Sequence, residues 1–346
     1  MAERLEDFVE TPLDIKDLDL ILNKGWGIQK EDAALIITDR GDGENCLGPA
    51  LALEEVKGLK KIGCTCEIYL QEIKTALDKI DIQLLEKIKK LEPGSVVAVS
   101  VSNNVGVLPE TEGNISFKKF ILDRNLNFIY SRDLAQVKKK DWPLFAKAIS
   151  FDASIHEKRW LDIKAIIDGG KEMVIKTDKG TDLHLDITGR ETRLTCGYKN
   201  FGGTNLPFGE IFIAPVEDKS TGKVIVDGTS KILSGAVLVK DSFELEFSNG
   251  HIINNTSESL ASTITHIKDN DQAGSEGIET LAELGIGLNP NAKLIGLMLV
   301  DEKTLGTAHV AIGNNTSFGG KNECKYHFDQ VFRNPRIWVD GKEIKV

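Results

Sequence analysis

The chain has 346 residues, 41% of them apolar and 28% charged, with a formal net charge of −10. That length favours two domains and is enough for a sizeable core. The negative balance, with no basic cluster beyond Lys138-Lys139-Lys140, argues against nucleic-acid binding, which needs phosphate neutralisation.

No apolar run is long enough to span a membrane. The acidic start, Met1 to Asp7, has no signal-peptide core. The expectation is a cytoplasmic protein with no membrane partner. The five cysteines show no zinc-finger spacing and read as reduced, partly buried thiols.

In chain order, residues 1–30 read as helical, with Gly25 as a helix stop. Ala33 to Asp39 is a short apolar run, expected as a buried parallel strand. A helix around Gly48 to Leu53, a strand over Gly63 to Leu70 and an amphipathic helix over Ile80 to Leu91 follow. Ser95 to Ser102 is the clearest strand of this half. Such alternation predicts a parallel α/β sheet. The Asp39-to-Gly43 turn lacks both glycine-rich phosphate-loop patterns and reads as a structural crossover turn.

Helices are expected over Trp142 to Ile149 and from about Ile155 to Ile167. Glu172 to Thr177 and Thr181 to Ile187, joined by Asp178-Lys179-Gly180, predict a β-hairpin. His184 and Asp186 would share its exposed polar face. From about Glu191 strands dominate, interrupted by one helix near Ser257 to His266. The expected fold class is thus α/β: an N-terminal parallel α/β domain over 1–190 and a β-rich α+β domain over 191–346 carrying the site.

Five residues of the second half are candidate metal ligands: Glu210, Glu283, His309, His327 and Asp329. Each is set among glycine and small apolar residues, a context for buried strand ends and turns rather than a solvated face. His327 and Asp329, two apart, would project from one face of a strand. His309, eighteen residues upstream, could occupy a neighbouring strand. Imidazole and carboxylate suit zinc, cobalt and manganese, and carboxylates can bridge paired cations. Glu302 is the nearest unassigned acid before His309 and a candidate general base.

Asn205 to Pro215, Gly306 to Gly313 and His327-Phe328-Asp329 resemble, in the same order, the blocks of the aminopeptidase T family of metallopeptidases. The resemblance is strongest over 190–346. It implies a two-domain homodimer with two divalent ions (zinc, cobalt or manganese) on Glu210, Glu283, His309, His327 and Asp329. It implies removal of N-terminal residues from peptides with a free N-terminus. Glu283 and Glu302 are the expected catalytic residues. The family's tyrosine shortly after the first metal histidine is missing from Gly313 to Gly319.

The terminal H-x-D pair is also similar to that of iron(II) ring-cleaving dioxygenases acting on dihydroxypyridines. Their two-histidine, one-carboxylate triad would map to His309, His327 and Asp329. That resemblance implies a histidine in place of Glu283 and no counterpart of His309. Retention of both favours the peptidase-type site, with the dioxygenase and a non-catalytic metal binder as alternatives.

Overall fold

The computed structural model describes residues 5–43, 45–75, 77–113, 115–196 and 204–346. Residues 1–4 of the expected N-terminal helical stretch lie outside them. The chain divides into two compact units, residues 1–155 with 195–208, and residues 156–194 with 209–346. The chain passes between them after Ile155, after Leu194 and after Phe208.

Strands β1 (Ala33–Thr38), β2 (Thr65–Leu70), β3 (Val96–Ser100) and β4 (Asn127–Ser131) belong to the first unit. β5 (Glu172–Lys176) and β6 (Asp182–Asp186) follow in the second, then β7 (Arg193–Thr195) at a crossing and β8 (Thr204–Asn205) in the first. The second unit continues with β9 (Glu210–Ile213), β10 (Thr221–Val226), β11 (Thr229–Ile232), β12 (Gly235–Leu238), β13 (Phe243–Ser248) and β14 (His251–Asn255). β15 (Leu281–Gly287), β16 (Thr307–Gly313), β17 (His327–Arg333), β18 (Arg336–Val339) and β19 (Lys342–Ile344) complete it.

The first unit is a five-stranded parallel sheet in the order β2-β1-β3-β4-β8. β3 is buried along its whole length, as expected for a strand covered on both faces. Helices α1 (Leu18–Trp26) and α2 (Leu47–Ile62) precede α3 (Ile82–Lys89). Leu84, Leu85 and Ile88 of α3 join Leu35, Ile37, Val97 and Val99 in one core cluster. Their i, i+1, i+4 spacing gives α3 a single apolar face.

At the carboxyl end of β1, the buried Asp39 carboxylate accepts hydrogen bonds from Ser102 N (2.7 Å), Ser102 Oγ (2.7 Å) and Gly41 N (2.9 Å). The Asp39-to-Gly43 turn is therefore a structural tie between β1 and the end of β3.

Glu55 of α2 is fully buried. Its Oε2 accepts from Ser100 Oγ at 2.9 Å, while Oε1 has no hydrogen-bond partner among the described residues. Burial raises its carboxyl to about 8 from 4.5, against a smaller opposing effect of Ser100. A folded pKa above the unfolded one means that stability is highest below about pH 4.5 and falls as pH rises towards 8. Glu55→Gln removes this ionisation. Urea melts should show the variant gaining on the wild type by a few kcal/mol, on the order expected from the shift, between pH 5 and 8.5. A pH-independent difference would refute the assignment.

In the second unit, α6 (Glu157–Asp168) follows α4 (Phe117–Leu122) and α5 (Trp142–Ile149) of the first. β5 and β6 form the expected hairpin, each with alternating burial. They sit within the seven-stranded sheet β14-β13-β10-β6-β5-β18-β19. A second seven-stranded sheet runs β12-β11-β17-β16-β15-β9-β7. Ser257 caps α7 (Glu258–Asn270) by accepting from Leu260 N, and α8 (Met298–Asp301) is a single turn. The expected α/β class, a parallel sheet followed by a β-rich part with helices, is what the chain adopts. Among the described residues the five cysteines form no disulfide. Among the described residues no helix is long and apolar enough to cross a membrane.

Candidate metal centre

The site lies on one face of the β17-β16-β15-β9 ladder. Register explains why. Glu283 pairs with Ala311, Gly285 with His309, and Gly287 with Glu210. Ala311 in turn pairs with Asp329, and Gly313 with His327. Residues paired across a sheet share a face, as do residues two apart on a strand. The four strands therefore raise Glu210, Glu283, His309, His327 and Asp329 from a floor of Gly285, Gly287, Ala311 and Gly313.

The floor must be this small. A Cβ on Gly285 would sit 2.1 Å from Cε1 and 2.2 Å from Nε2 of His309. The imidazole lies directly over the glycine and so reaches across to Glu283. A Cβ on Gly287 would sit 2.1 Å from the Thr304 carbonyl oxygen. That close approach brings the segment after α8, with Glu302 and Lys303, onto the site.

The five candidates form two overlapping triads, Glu210–Glu283–His309 and Glu283–His327–Asp329, in each of which one ligand atom per residue lies within 4.8 Å of the others. Glu283 is the shared member. Its Oε1 is 3.1 Å from His309 Nε2, and its Oε2 is 3.3 Å from His327 Nε2. His327 Nε2 is also 3.0 Å from Asp329 Oδ1, and His309 Nε2 is 3.9 Å from Glu210 Oε1. Glu210, Glu283, His309 and Asp329 are buried. The His327 side chain, 29% exposed, marks the side on which the site opens. Phe318 meets the His327 ring edge-on at 6.0 Å between centroids and packs likewise on Phe212.

Charge balance explains the ionisation. Burial would push the His309 imidazole down, but Glu283 and then Glu210 and Asp329 outweigh it and raise it to about 9. His327 is raised well above its ordinary value despite burial, through Asp329 and Glu283. Burial opposes charge on Asp329 as well, yet His327 and Lys231 hold it far below the usual carboxylate range. Burial lifts Glu210 to about 7, with Lys303 pulling the other way.

The donor set fits a divalent cation. His327 Nδ1 lies 2.7 Å from the Asn314 carbonyl oxygen, which can only accept, so Nδ1 carries a hydrogen. Nε2 then faces two carboxylates that also only accept. It must either be protonated or turn its lone pair to a cation. A divalent ion among these groups would replace the protons that the carboxylates otherwise draw onto the imidazoles.

Two lysines not anticipated from the sequence complete the cluster. Lys303, wholly buried, places Nζ 3.2 Å from Glu210 Oε2 and also pairs with Glu302. Lys231 of β11 lies 3.6 Å from Asp329 Oδ2. Glu302 thus joins the site through Lys303. Tyr326, next to His327, points elsewhere and donates to Asp271 Oδ2 at 2.8 Å. A lysine following an acid in a turn gives no signal of burial. The period-two glycines of Leu281 to Gly287 are the feature that announces a close approach there.

Fold and site together define an α/β protein in which groups able to hold a metal rise from an antiparallel sheet. Residues 152–346, more than half of the chain, match the family described as NicX: 2,5-dihydroxypyridine 5,6-dioxygenase, and the protein belongs to that family. The 2,5-dihydroxypyridine 5,6-dioxygenase of Pseudomonas putida KT2440 is 23% identical over 203 residues, which cover 54% of this chain and 56% of that relative. The match thus spans little more than half the length of the curated relative. The solved structure of the 2,5-dihydroxypyridine dioxygenase from Pseudomonas putida KT2440 superposes with a TM-score of 0.71 at 15% identity, covering 97% of each chain. Wild-type AmpT from Thermus thermophilus gives a TM-score of 0.60 at 15% identity, covering 95% of this chain and 99% of that one. At such identities these likenesses establish the fold.

The resemblance to aminopeptidase T therefore holds for the fold. The expectation of a peptide-cleaving hydrolase is overturned by the family match and by the relative, both of them dioxygenases. The expected pair of zinc, cobalt or manganese ions has no support in that family, while groups able to hold a metal are present.

Proposed function

We propose that the protein is an iron(II)-dependent ring-cleaving dioxygenase acting on a hydroxylated pyridine of the dihydroxypyridine class. The observation that carries this reading is the Glu283–His327–Asp329 cluster with His309 beside it, inside the segment that matches the family. Imidazole and carboxylate together suit non-haem iron(II), whose usual set is two histidines and one carboxylate. Here the cluster has one histidine and two carboxylates, with the second histidine, His309, 3.1 Å from Glu283.

Glu283, His327 and Asp329 would hold the ion, with His309 on the far side of the Glu283 carboxylate. When bound, iron(II) supplies the redox and Lewis-acid chemistry through which dioxygen and an electron-rich ring react. The chain's own groups set the stage. The Asn314 carbonyl fixes the His327 tautomer, and Phe318 fixes the ring plane. Lys231, partly exposed beside Asp329, offers a positive charge to an acidic ring hydroxyl. Buried neighbours exclude water from all but the His327 side.

The test is oxygen consumption by protein loaded anaerobically with iron(II) and mixed with 2,5-dihydroxypyridine in air. Uptake of one dioxygen per ring lost, with disappearance of the ring's ultraviolet absorbance, is expected. A fully loaded protein that consumes no oxygen would rule the reading out.

A further inference from the structure

The cluster contains more carboxylates than one ion requires. Glu210, Glu283, Glu302 and Asp329 supply four, and among the described residues two ammoniums, of Lys303 and Lys231, pair with them. Two negative charges remain. One divalent cation with both imidazoles neutral closes that balance. A second would leave two uncompensated positive charges in a buried site, which is strongly unfavourable.

We infer that the Lys303 ammonium is a built-in substitute for a second metal ion, so that Glu210 and Glu302 hold a lysine and the site takes a single divalent cation. The inference rests on the reading above only for the presence of a divalent ion.

Geometry supports it. Lys303 Nζ contacts Glu210 Oε2 at 3.2 Å, within the Glu210–Glu283–His309 triad that would otherwise be the second position. Paired catalytic cations stand roughly 3.5–4 Å apart and share bridging carboxylates. Here the shared Glu283 is present, but the outer carboxylate is already engaged by an ammonium. The lysine has no exposed surface and is held from both ends. Its N donates to Val300 O at 3.1 Å and its O accepts from Asn289 N at 2.8 Å. The preceding turn is pinned by buried Asp301, which accepts from Ile295 N, Gly296 N and Thr229 Oγ1. The main chain is thus fixed, and the buried ammonium is held by Glu210 and Glu302 at the position a second ion would need.

The test is metal stoichiometry on the full chain, without substrate or dioxygen. Apoprotein is titrated with cobalt(II), followed by its visible bands and by metal per chain after gel filtration. The wild type and Lys303→Arg should each hold one ion. Lys303→Met, uncharged and of similar length, should hold two. A wild type holding two ions, or a folded Lys303→Met holding one, would overturn the inference. If Lys303→Met does not fold as apoprotein, it is refolded in excess cobalt(II). Recovery with two ions per chain supports the substitution of lysine for metal, and failure to recover refutes it. One ion per wild-type chain, two per Lys303→Met chain and no ring cleavage would support the lysine's role while removing the dioxygenase reading.

Discussion

Asp329→Asn is expected to lower oxygen uptake by about a thousand-fold, the loss that accompanies several kcal/mol of metal-derived stabilisation. Asparagine keeps the shape of the side chain but has one neutral acceptor oxygen where the carboxylate has two charged ones. It also leaves Lys231 without its carboxylate at 3.6 Å and His327 without the oxygen 3.0 Å from Nε2. Iron per chain should fall in parallel, while far-ultraviolet dichroism stays that of the wild type. Retention of iron and of turnover within tenfold would show that Asp329 is not a ligand.

A second large effect is expected from the smallest possible change. Gly285→Ala places a methyl group 2.1 Å from the His309 ring, inside any tolerable contact. Overpacking of this kind costs about 1–3 kcal/mol, occasionally more. The strain can be relieved only by moving the strand or by turning the imidazole away from Glu283. Denaturant melts should show a loss of about 3 kcal/mol, or metal affinity should drop by about 10–100-fold as the ring leaves its place. An alanine variant with unchanged stability and unchanged metal affinity would contradict the described packing.

Local patterns made much of the scaffold legible. The apolar runs around Ile36 and Val97 became neighbouring parallel strands, and Asp178-Lys179-Gly180 became the turn of a hairpin. Alternation placed His327 and Asp329 on one face, and β16 is the neighbour of β17. The division of the β-rich part into two seven-stranded sheets was hidden, because it depends on distant partners: β18 near the end of the chain pairs with β5.

The function was not legible because of buried charge. Five ligand candidates in sequence suggested two cations, since nothing local revealed that two ammoniums would be folded in among them. Lys303 follows Glu302 as a lysine follows an acid in many solvated turns. Gly287 lets the Lys303–Thr304 main chain approach β15, and Lys303 is buried there. Retention of Glu283 and His309 pointed to a hydrolase, whereas the family match, over residues 152–346, is to a dioxygenase.

The order β2-β1-β3-β4 reverses direction between β1 and β3, the crevice where open α/β sheets commonly receive ligands. There the Asp39 carboxylate already takes the Gly41 and Ser102 amides and the Ser102 hydroxyl. A diffusing phosphate would compete with an anion tethered by the chain itself, at an effective concentration that free solutes do not approach. The parallel unit is in this sense self-liganded at its own crevice.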